Sequence, residues 1–440
     1  MKRRSIISVA CLVMFVLMLF SGASAAVKEI TIWTWGALDP TIVGLIENSW
    51  PLMEKEFGVK IKHELFPGIS ETEFVTKVVS AVRFGTGPDV IEANDITLST
   101  LASEGFLEPV PSWLAKSLEE KLLPSYRTAP YLWDEDGYKK AFMGTLSLDA
   151  GGQVVWWNEE MYKEVGLDRS PRTWDEVFKF GKKLTKYAAD GSIEISGFFV
   201  RTAGGGGGIA DKFTPYFLSA GGGSLLKIEN EKVKANFNTS AGIATAQFYL
   251  DVLYKHKIDA TGIPGDVGGW YRGQTATVSA RRFWVPMNVQ RNAPDMYPKL
   301  RAGPIPVARE GLKSITTSHI YGLAVNPTIS SERKEFIWKL CDRLNQFDMV
   351  KRRTIDTLNW LPYREAVTEA PFTEELWQEA LKYSENTLPR LEAPKFSVVQ
   401  AILGDQLNLI FAKEKSIEAG LSTAAEEIRE LYEDVVLKEL

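Results

Sequence analysis

From Glu29 to Trp35 the chain alternates with a period of two. Ile30, Ile32 and Thr34 share one face, and Thr31, Trp33 and Trp35 share the other. Bulk on both faces predicts a central strand covered on two sides. Gly36 ends the run, and Asp39-Pro40 predicts an N-cap followed by proline in the first helical turn. Ile42, Leu45, Ile46, Met53 and Phe57 then recur at helical spacing, with a kink expected at Pro51. Val59 to Phe66 predicts a second strand, stopped by Pro67-Gly68. Ser70 and Glu73 form a capping box ahead of Phe74, Val75, Val78, Val79 and Val82. Gly87-Pro88-Asp89 then turns the chain into a short strand at Val90-Ile91. Strand, helix, strand, helix, strand in this order predicts a mostly parallel α/β sheet with helices on both faces.

The alternation resumes further on. Val154 to Asn158 and Ile195 to Val200 predict strands, and Thr173 with Glu176 forms a second capping box before Val177, Phe180 and Leu184. Helices are expected over 241–255, 331–344, 398–411 and 423–436. Gly303 to Val307 reads as an extended, proline-flanked crossing. Gly204 to Gly208 is the one low-complexity stretch. Five glycines suit either the rim of a cleft or a surface loop with no ligand role, and both readings stand.

Length and composition leave room for two substantial cores, with 440 residues, 45% of them hydrophobic and 24% charged. The first residues differ from the rest. Lys2, Arg3 and Arg4 precede the apolar run Ile6 to Phe20, and small residues follow up to Ala25. That is the three-part layout of a secretory leader, with cleavage expected after Ala25. Cys11 lies too early in the apolar run for a lipoprotein cysteine. Without the leader only Cys341 remains, so no disulfide within the chain is expected. The net charge is −5 before the leader's three basic residues are removed, which disfavours nucleic acid and anionic membranes as partners.

Candidate chemistry narrows the choice. The histidines His63, His256 and His319 are scattered, so no metal site and no cofactor is expected. No Gly-x-Ser-x-Gly elbow or phosphate-binding loop is present. Paired carboxylates of a secreted glycoside hydrolase remain an alternative, because acids are plentiful. Tryptophan is more informative, with thirteen in the chain. An indole covers the apolar C–H face of a sugar ring, while carboxylates and amides hold the hydroxyls at its edge. Trp35, Trp157, Trp270, Trp284 and Trp360 fall at strand ends or in loops and are the candidates. Trp174 and Trp338 sit on helical stripes and read as packing.

Several blocks occur in a telling order. They are Ile30-Thr31-Ile32-Trp33, Gly87-Pro88-Asp89-Val90-Ile91, Gly105-Phe106-Leu107-Glu108-Pro109 and Val154-Val155-Trp156-Trp157-Asn158. Val165-Gly166-Leu167, Thr173-Trp174-Asp175-Glu176, Arg272-Gly273-Gln274-Thr275-Ala276 and Leu361-Pro362-Tyr363-Arg364 follow. In this order the chain resembles the family 1 extracellular solute-binding proteins, the group that includes the maltose-binding proteins.

The resemblance implies a two-lobed periplasmic-binding-protein fold of type II with the ligand in the cleft between the lobes. It places a first lobe over 26–144 and 309–345 and a second over 145–308 and 346–440, with crossings near 145–150, 303–308 and 345–359. It implies a receptor, not an enzyme, that binds a sugar or oligosaccharide and delivers it to the membrane subunits of an ABC importer. A monomer, periplasmic or extracellular, is expected. A non-sugar solute is the alternative within the same fold. By the same resemblance Trp157 matches an aromatic that faces the sugar, and Trp284 matches another, with Phe283 competing for that role. Asn94 and Asp95 match hydroxyl-binding polar positions, and Trp35 and Gly36 match a ligand wall. His319 and Arg364 fall in loops that face the cleft. Arg281 and Arg282 stand where the family commonly has glycine, and read either as a clamp for an acidic sugar or as a solvated pair.

Overall fold

The computed structural model describes residues 27–36, 38, 40–149, 151–203, 205–260, 267–388 and 393–438. The leader, the expected N-cap Asp39, and Ala150 and Gly204 lie outside the described residues. Two sheets organise the chain. Their strands are β1 (Glu29–Trp35), β2 (Lys60–Phe66), β3 (Val90–Asn94), β4 (Thr145–Asp149), β5 (Val154–Asn158), β6 (Thr277–Arg281), β7 (Leu300–Gly303) and β8 (Ile320–Val325).

The first sheet runs β2-β1-β3-β8-β4. β1 pairs in parallel with β2 and β3, whereas β8 is antiparallel to both β3 and β4. Four strands therefore run one way and β8 runs against them, because β8 arrives from the far half of the molecule and not over a helical crossover. Within β1, Ile30 and Ile32 are buried, while Trp33 and Trp35 on the opposite face are half-buried. The core beneath Ile30 and Ile32 contains Met53, Ile337 and Trp338. The second sheet has the order β6-β5-β7 and is antiparallel throughout. Of the expected strand at 195–200, Ile195 pairs with Lys186 in a short ribbon, and the rest makes the isolated bridges Ser196–Thr275, just before β6, and Phe199–Val278, within it.

Helices cover the second sheet. Gly206–Ser219 packs on Phe396–Phe411, which in turn packs on Ile417–Leu431. Tyr249 and Phe411 stack within this core, with ring centroids 5.0 Å apart. Each helix carries an apolar stripe that water would otherwise wet, at about 25 cal/mol per Å².

Two boundaries differ from the expectation. Thr145–Asp149 is the edge strand of the first sheet, since Leu146 and Leu148 alternate with polar residues and pair with β8. The first crossing therefore comes after Asp149. Residues 347–363 also pack on the first half, and only their end reaches the second, where Trp360 meets Phe283. The buried Arg353 donates to the carbonyls of Leu146 and Leu344, and the Tyr363 hydroxyl donates to Asn345 Oδ1 at 2.7 Å.

At the crossing, Thr316–Thr317 pairs in parallel with Thr387–Leu388. Gly152 lies against this ribbon so closely that a Cβ there would stand 2.6 Å from Thr387 Oγ1. A second link between the halves lies at the end of the chain. Leu437 N donates to Glu231 O at 3.0 Å and Lys438 N donates to Gly137 O at 2.9 Å. Glu231 belongs to the turn of the hairpin formed by Leu226–Glu229 and Lys232–Ala235. Gly137 belongs to the turn between Tyr131–Trp133 and Lys139–Ala141. No helix among the described residues is long and apolar enough to cross a membrane.

Candidate functional site

A cavity of about 420 Å³ lies between the two halves, within the range of roughly 300–1,000 Å³ usual for small-molecule sites. Its walls are built at the carboxyl ends of β1, β3 and β6, where loops lead into helices, and at the amino end of the antiparallel β8. Five helices matter here: α1 (Glu71–Arg83), α2 (Asp95–Ser103), α3 (Gly206–Ser219), α4 (Trp284–Asn292) and α5 (Phe396–Phe411). All five turn their amino ends to the cavity, through Glu71, Ile96, Gly207, Trp284 and Ser397.

The first half contributes from β1, β3, β8 and the helices that follow. Trp35 closes β1, and its indole Nε1 donates to Ile69 O at 2.9 Å, which fixes the half-buried ring in the wall. Asn94 closes β3 and caps α2, accepting from Thr97 N at 2.8 Å. Thr97 Oγ1 donates to Glu71 at 2.6 Å. His319 and Tyr321 stand together at the start of β8, with ring centroids 5.1 Å apart.

The opposite wall is strongly polar. Asp211, in the first turns of α3, receives a two-pronged bond from Arg282 at 2.8 and 2.6 Å. Lys212 is only 6% exposed. Its Nζ lies 2.9 Å from Asp211 Oδ2 and donates to Gln153 Oε1, also at 2.9 Å. Burial drives this ammonium well below its ordinary range; Asp211 opposes the shift, while Arg282 and Arg281 reinforce it. Arg281 and Arg282 reach the cavity because β6 is irregular. Its register against β5 shifts between Val278 and Arg281, and Ala280 adopts a left-handed φ of 49°. Such a bulge re-aims the side chains that follow it. Gln400 on α5 lines the same wall at 4% exposure, and its Nε2 has no hydrogen-bond partner among the described residues.

A model of the family described as bacterial extracellular solute-binding protein matches residues 39–339, more than half of the chain. The chain belongs to this family. The two-sheet architecture of this solute-binding protein is shared with solved structures. One is a solute-binding protein of an ABC transporter from Thermotoga lettingae, bound with α-D-tagatose, at a TM-score of 0.75 and 20% identity, over 92% of this chain and 100% of that one. Another is maltose-bound MalE3 of T. maritima, with the same four values. A third is the maltose/maltodextrin-binding domain MalE of Bdellovibrio bacteriovorus bound to maltotriose, at 0.73 and 18%, over 92% and 100%. At these identities the likeness is one of fold. No curated protein matches the chain.

In this solute-binding protein the cavity gathers Trp35, Asn94, Trp284 and His319 from the expected site residues. Between Phe283 and Trp284, the tryptophan lines the cavity, while Phe283 is buried against Trp156, Trp360 and Trp377. The other candidates lie elsewhere. Trp157, 5% exposed, is inside a core, because β5 is the central strand of its sheet and both its faces are covered. Its indole donates to Ala302 O at 3.0 Å. Trp270 and Trp360 are likewise buried, the latter edge-on to Tyr126. Gly36 serves the turn after β1, with a φ of 84° and its N–H donating to Phe66 O. Asp95 is buried at the start of α2, its carboxylate accepting from Ile96 N at 3.1 Å. Arg364 is exposed and donates to Leu122 O at 3.0 Å, away from the cavity.

Sequence reasoning did not find Glu71, Arg201, Asp211, Lys212, Tyr321, Ser397 or Gln400. The nearest signal for Asp211 and Lys212 is the glycine run before them, which opens α3 at Gly206 and sets Gly207 and Gly208 in the cavity wall.

Proposed function

We propose that this chain is the sugar receptor of an ABC importer, exported by a leader that ends at Ala25 and acting as a monomer outside the cytoplasm. The observation that carries the reading is the cavity between the halves. It has a half-buried indole on each side, Trp35 and Trp284, and polar groups from both sheets. An indole face sheds water against a sugar's C–H patch, and the surrounding amide and charged groups hold its hydroxyls. The sugar-bound proteins that share the fold support the same reading.

The mechanism follows from geometry. A ligand touching both walls stabilises the arrangement in which they face each other, so it shifts the population toward that state. The segments after Asp149, around Thr316-Thr317 and around Thr387-Leu388 carry the chain between the halves and would absorb the backbone change. Nothing in this cycle turns the sugar over; the receptor hands it intact to the membrane subunits. The test is a panel of mono- and oligosaccharides read by calorimetry and tryptophan fluorescence, with chromatography of the recovered sugar. Saturable binding with the sugar returned unchanged is expected. A flat response across the panel, or release of a shorter product, would sink the reading.

A further inference from the structure

We infer that the cavity is blind on one side and grips the end of its sugar, holding no more than two rings, with Ile96 as the stop and Gln400 as a donor to the end ring; this rests on the sugar-receptor reading and narrows it to a ligand class. Three observations carry it. The first is a seal. Ile96, at the start of α2, lines the cavity, yet it is only 2% exposed and belongs to the core of the second half, with Phe396 and Val399 of α5. Trp133, also from the first half, and Leu437 in the terminal segment are buried in that same core. Side chains of both halves therefore close the gap along this side. The crossing ribbon closes another side, where Gln153 joins Lys212 of the wall to Thr316. A sugar chain cannot run past a side filled at interior density; the end that reaches it stops there.

The second observation is capacity. The cavity measures about 420 Å³. A pyranose with its hydroxyls fills roughly 200 Å³ at interior packing density, so two rings occupy the space. The aromatic surface agrees. Of the tryptophans at strand ends or in loops, Trp35 and Trp284 line the cavity, while Trp157, Trp270 and Trp360 are buried in cores. Two indoles offer stacking faces for two rings. The third observation is Gln400, one turn along α5 from Phe396. It lines the cavity at 4% exposure, and its Nε2 has no hydrogen-bond partner among the described residues. Buried donors are rarely left without an acceptor, so this one points to a ligand oxygen. Its place beside the seal gives it the hydroxyls of the ring that reaches the stop.

The experiment follows affinity by calorimetry along homologous series on the mature full chain. Glucose is run with the malto- and cello-oligosaccharides, xylose with the xylo-oligosaccharides and mannose with the manno-oligosaccharides, from monosaccharide to pentasaccharide. Affinity should stop rising at the disaccharide, with the trisaccharide bound no more than about twofold more tightly. The best-bound of the one- and two-ring sugars is then compared with its methyl glycoside and with a form methylated at the opposite end, since each blocks one end. At least one blocked form should bind about tenfold more weakly or worse, because its methyl group is forced into filled space. In Ile96→Ala, which opens the stop, that form should regain most of the loss, while the unblocked sugar changes much less. Gln400→Leu should weaken the unblocked sugar by about tenfold. Affinity that keeps climbing through the trisaccharide, full affinity in both blocked forms, or unchanged affinity in Gln400→Leu overturns the inference and leaves the receptor reading standing. If no sugar of any series binds, both fall. The length series and the blocked sugars need no variant, so a variant that fails to fold does not block the answer.

Discussion

Lys212 Nζ donates to Gln153 Oε1 at 2.9 Å, and through this contact the wall of the cavity is tied to the segment where the chain crosses between halves. Gln153 is fully committed there. Its N–H donates to Thr316 Oγ1 at 2.7 Å, and its amide nitrogen donates to Thr317 Oγ1 at 3.0 Å and Asp211 O at 3.1 Å. Replacing it by leucine keeps the volume and the backbone bond to Thr316, but takes one acceptor from the buried Lys212 and the amide donor from the Thr317 hydroxyl and the Asp211 carbonyl. Gln153→Leu should lose about 2–3 kcal/mol of stability in urea unfolding. A loss within error would mean that the crossing does not depend on this amide.

The Asp211–Arg282 pair sits in the same wall, and both partners are buried. Removing one partner leaves the other charged and dry. Asp211→Asn should cost about 3–5 kcal/mol, whereas Asp211→Leu combined with Arg282→Met should cost clearly less than the two single changes added together. A double-mutant cycle measured by chemical denaturation would decide it; additive costs would refute the coupling.

Tryptophans in the wall and in the cores should separate cleanly. Trp284→Ala should weaken sugar binding by about 1–3 kcal/mol with a small change in melting temperature. Trp157→Ala and Trp360→Ala should instead destabilise the fold by about 3–5 kcal/mol, since each empties a filled core site. Calorimetry and thermal melts on all three would check this. Tight binding by Trp284→Ala would remove that indole from the site.

Stability should decline as pH rises from about 4.5 to 7, on account of Asp259. Burial pushes its carboxyl up to about 7 from an ordinary 3.8, against bonds from Val200 N and Ser196 Oγ that lower it. Between those values the folded chain holds a proton the unfolded chain has lost, so stability falls by up to about 1.4 kcal/mol per pH unit. Other groups act in the opposite sense, among them Glu176 and His256. Arg169 holds Glu176 down to about 2, an effect lost below pH 4.5, and burial lowers His256 from 6.5. The difference between the native chain and Asp259→Asn, followed by urea midpoints across this range, therefore isolates the group. Parallel profiles would refute it.

Removing the chain from Val436 onward should weaken ligand binding by up to roughly 30- to 150-fold. The segment bridges hairpins of opposite halves through two backbone hydrogen bonds and buries Leu437, together worth about 2–3 kcal/mol in the state where the halves meet. Small-angle scattering should show the truncated, sugar-free chain more extended than the intact one. Identical profiles and affinities would mean the segment is a passive tail.

Local physics was legible from the residues themselves. The alternation in Glu29–Trp35, the capping box of Ser70 and Glu73 and the helices over 331–344 and near 398–411 all form where pattern and capping place them. These depend on neighbours within a few positions, as did Trp174 and Trp338 as packing residues. Four of the residues singled out line the cavity: Trp35 and Trp284 as tryptophans at strand ends or in loops, and Asn94 and His319 through the family resemblance alone.

What the chain could not disclose by itself is which strand ends meet. Trp157 ends a strand as Trp35 does, yet β5 is flanked by β6 and β7 and covered on both faces, so its indole is interior. Asp211, Lys212, Arg281, Arg282 and Gln400 come from three stretches far apart in sequence, and only the packing of α3 on α5 and the bulge in β6 bring them to one wall. Local backbone preference acts over a few residues; the cavity and its charge arise from contacts hundreds of residues apart, which no short-range pattern encodes.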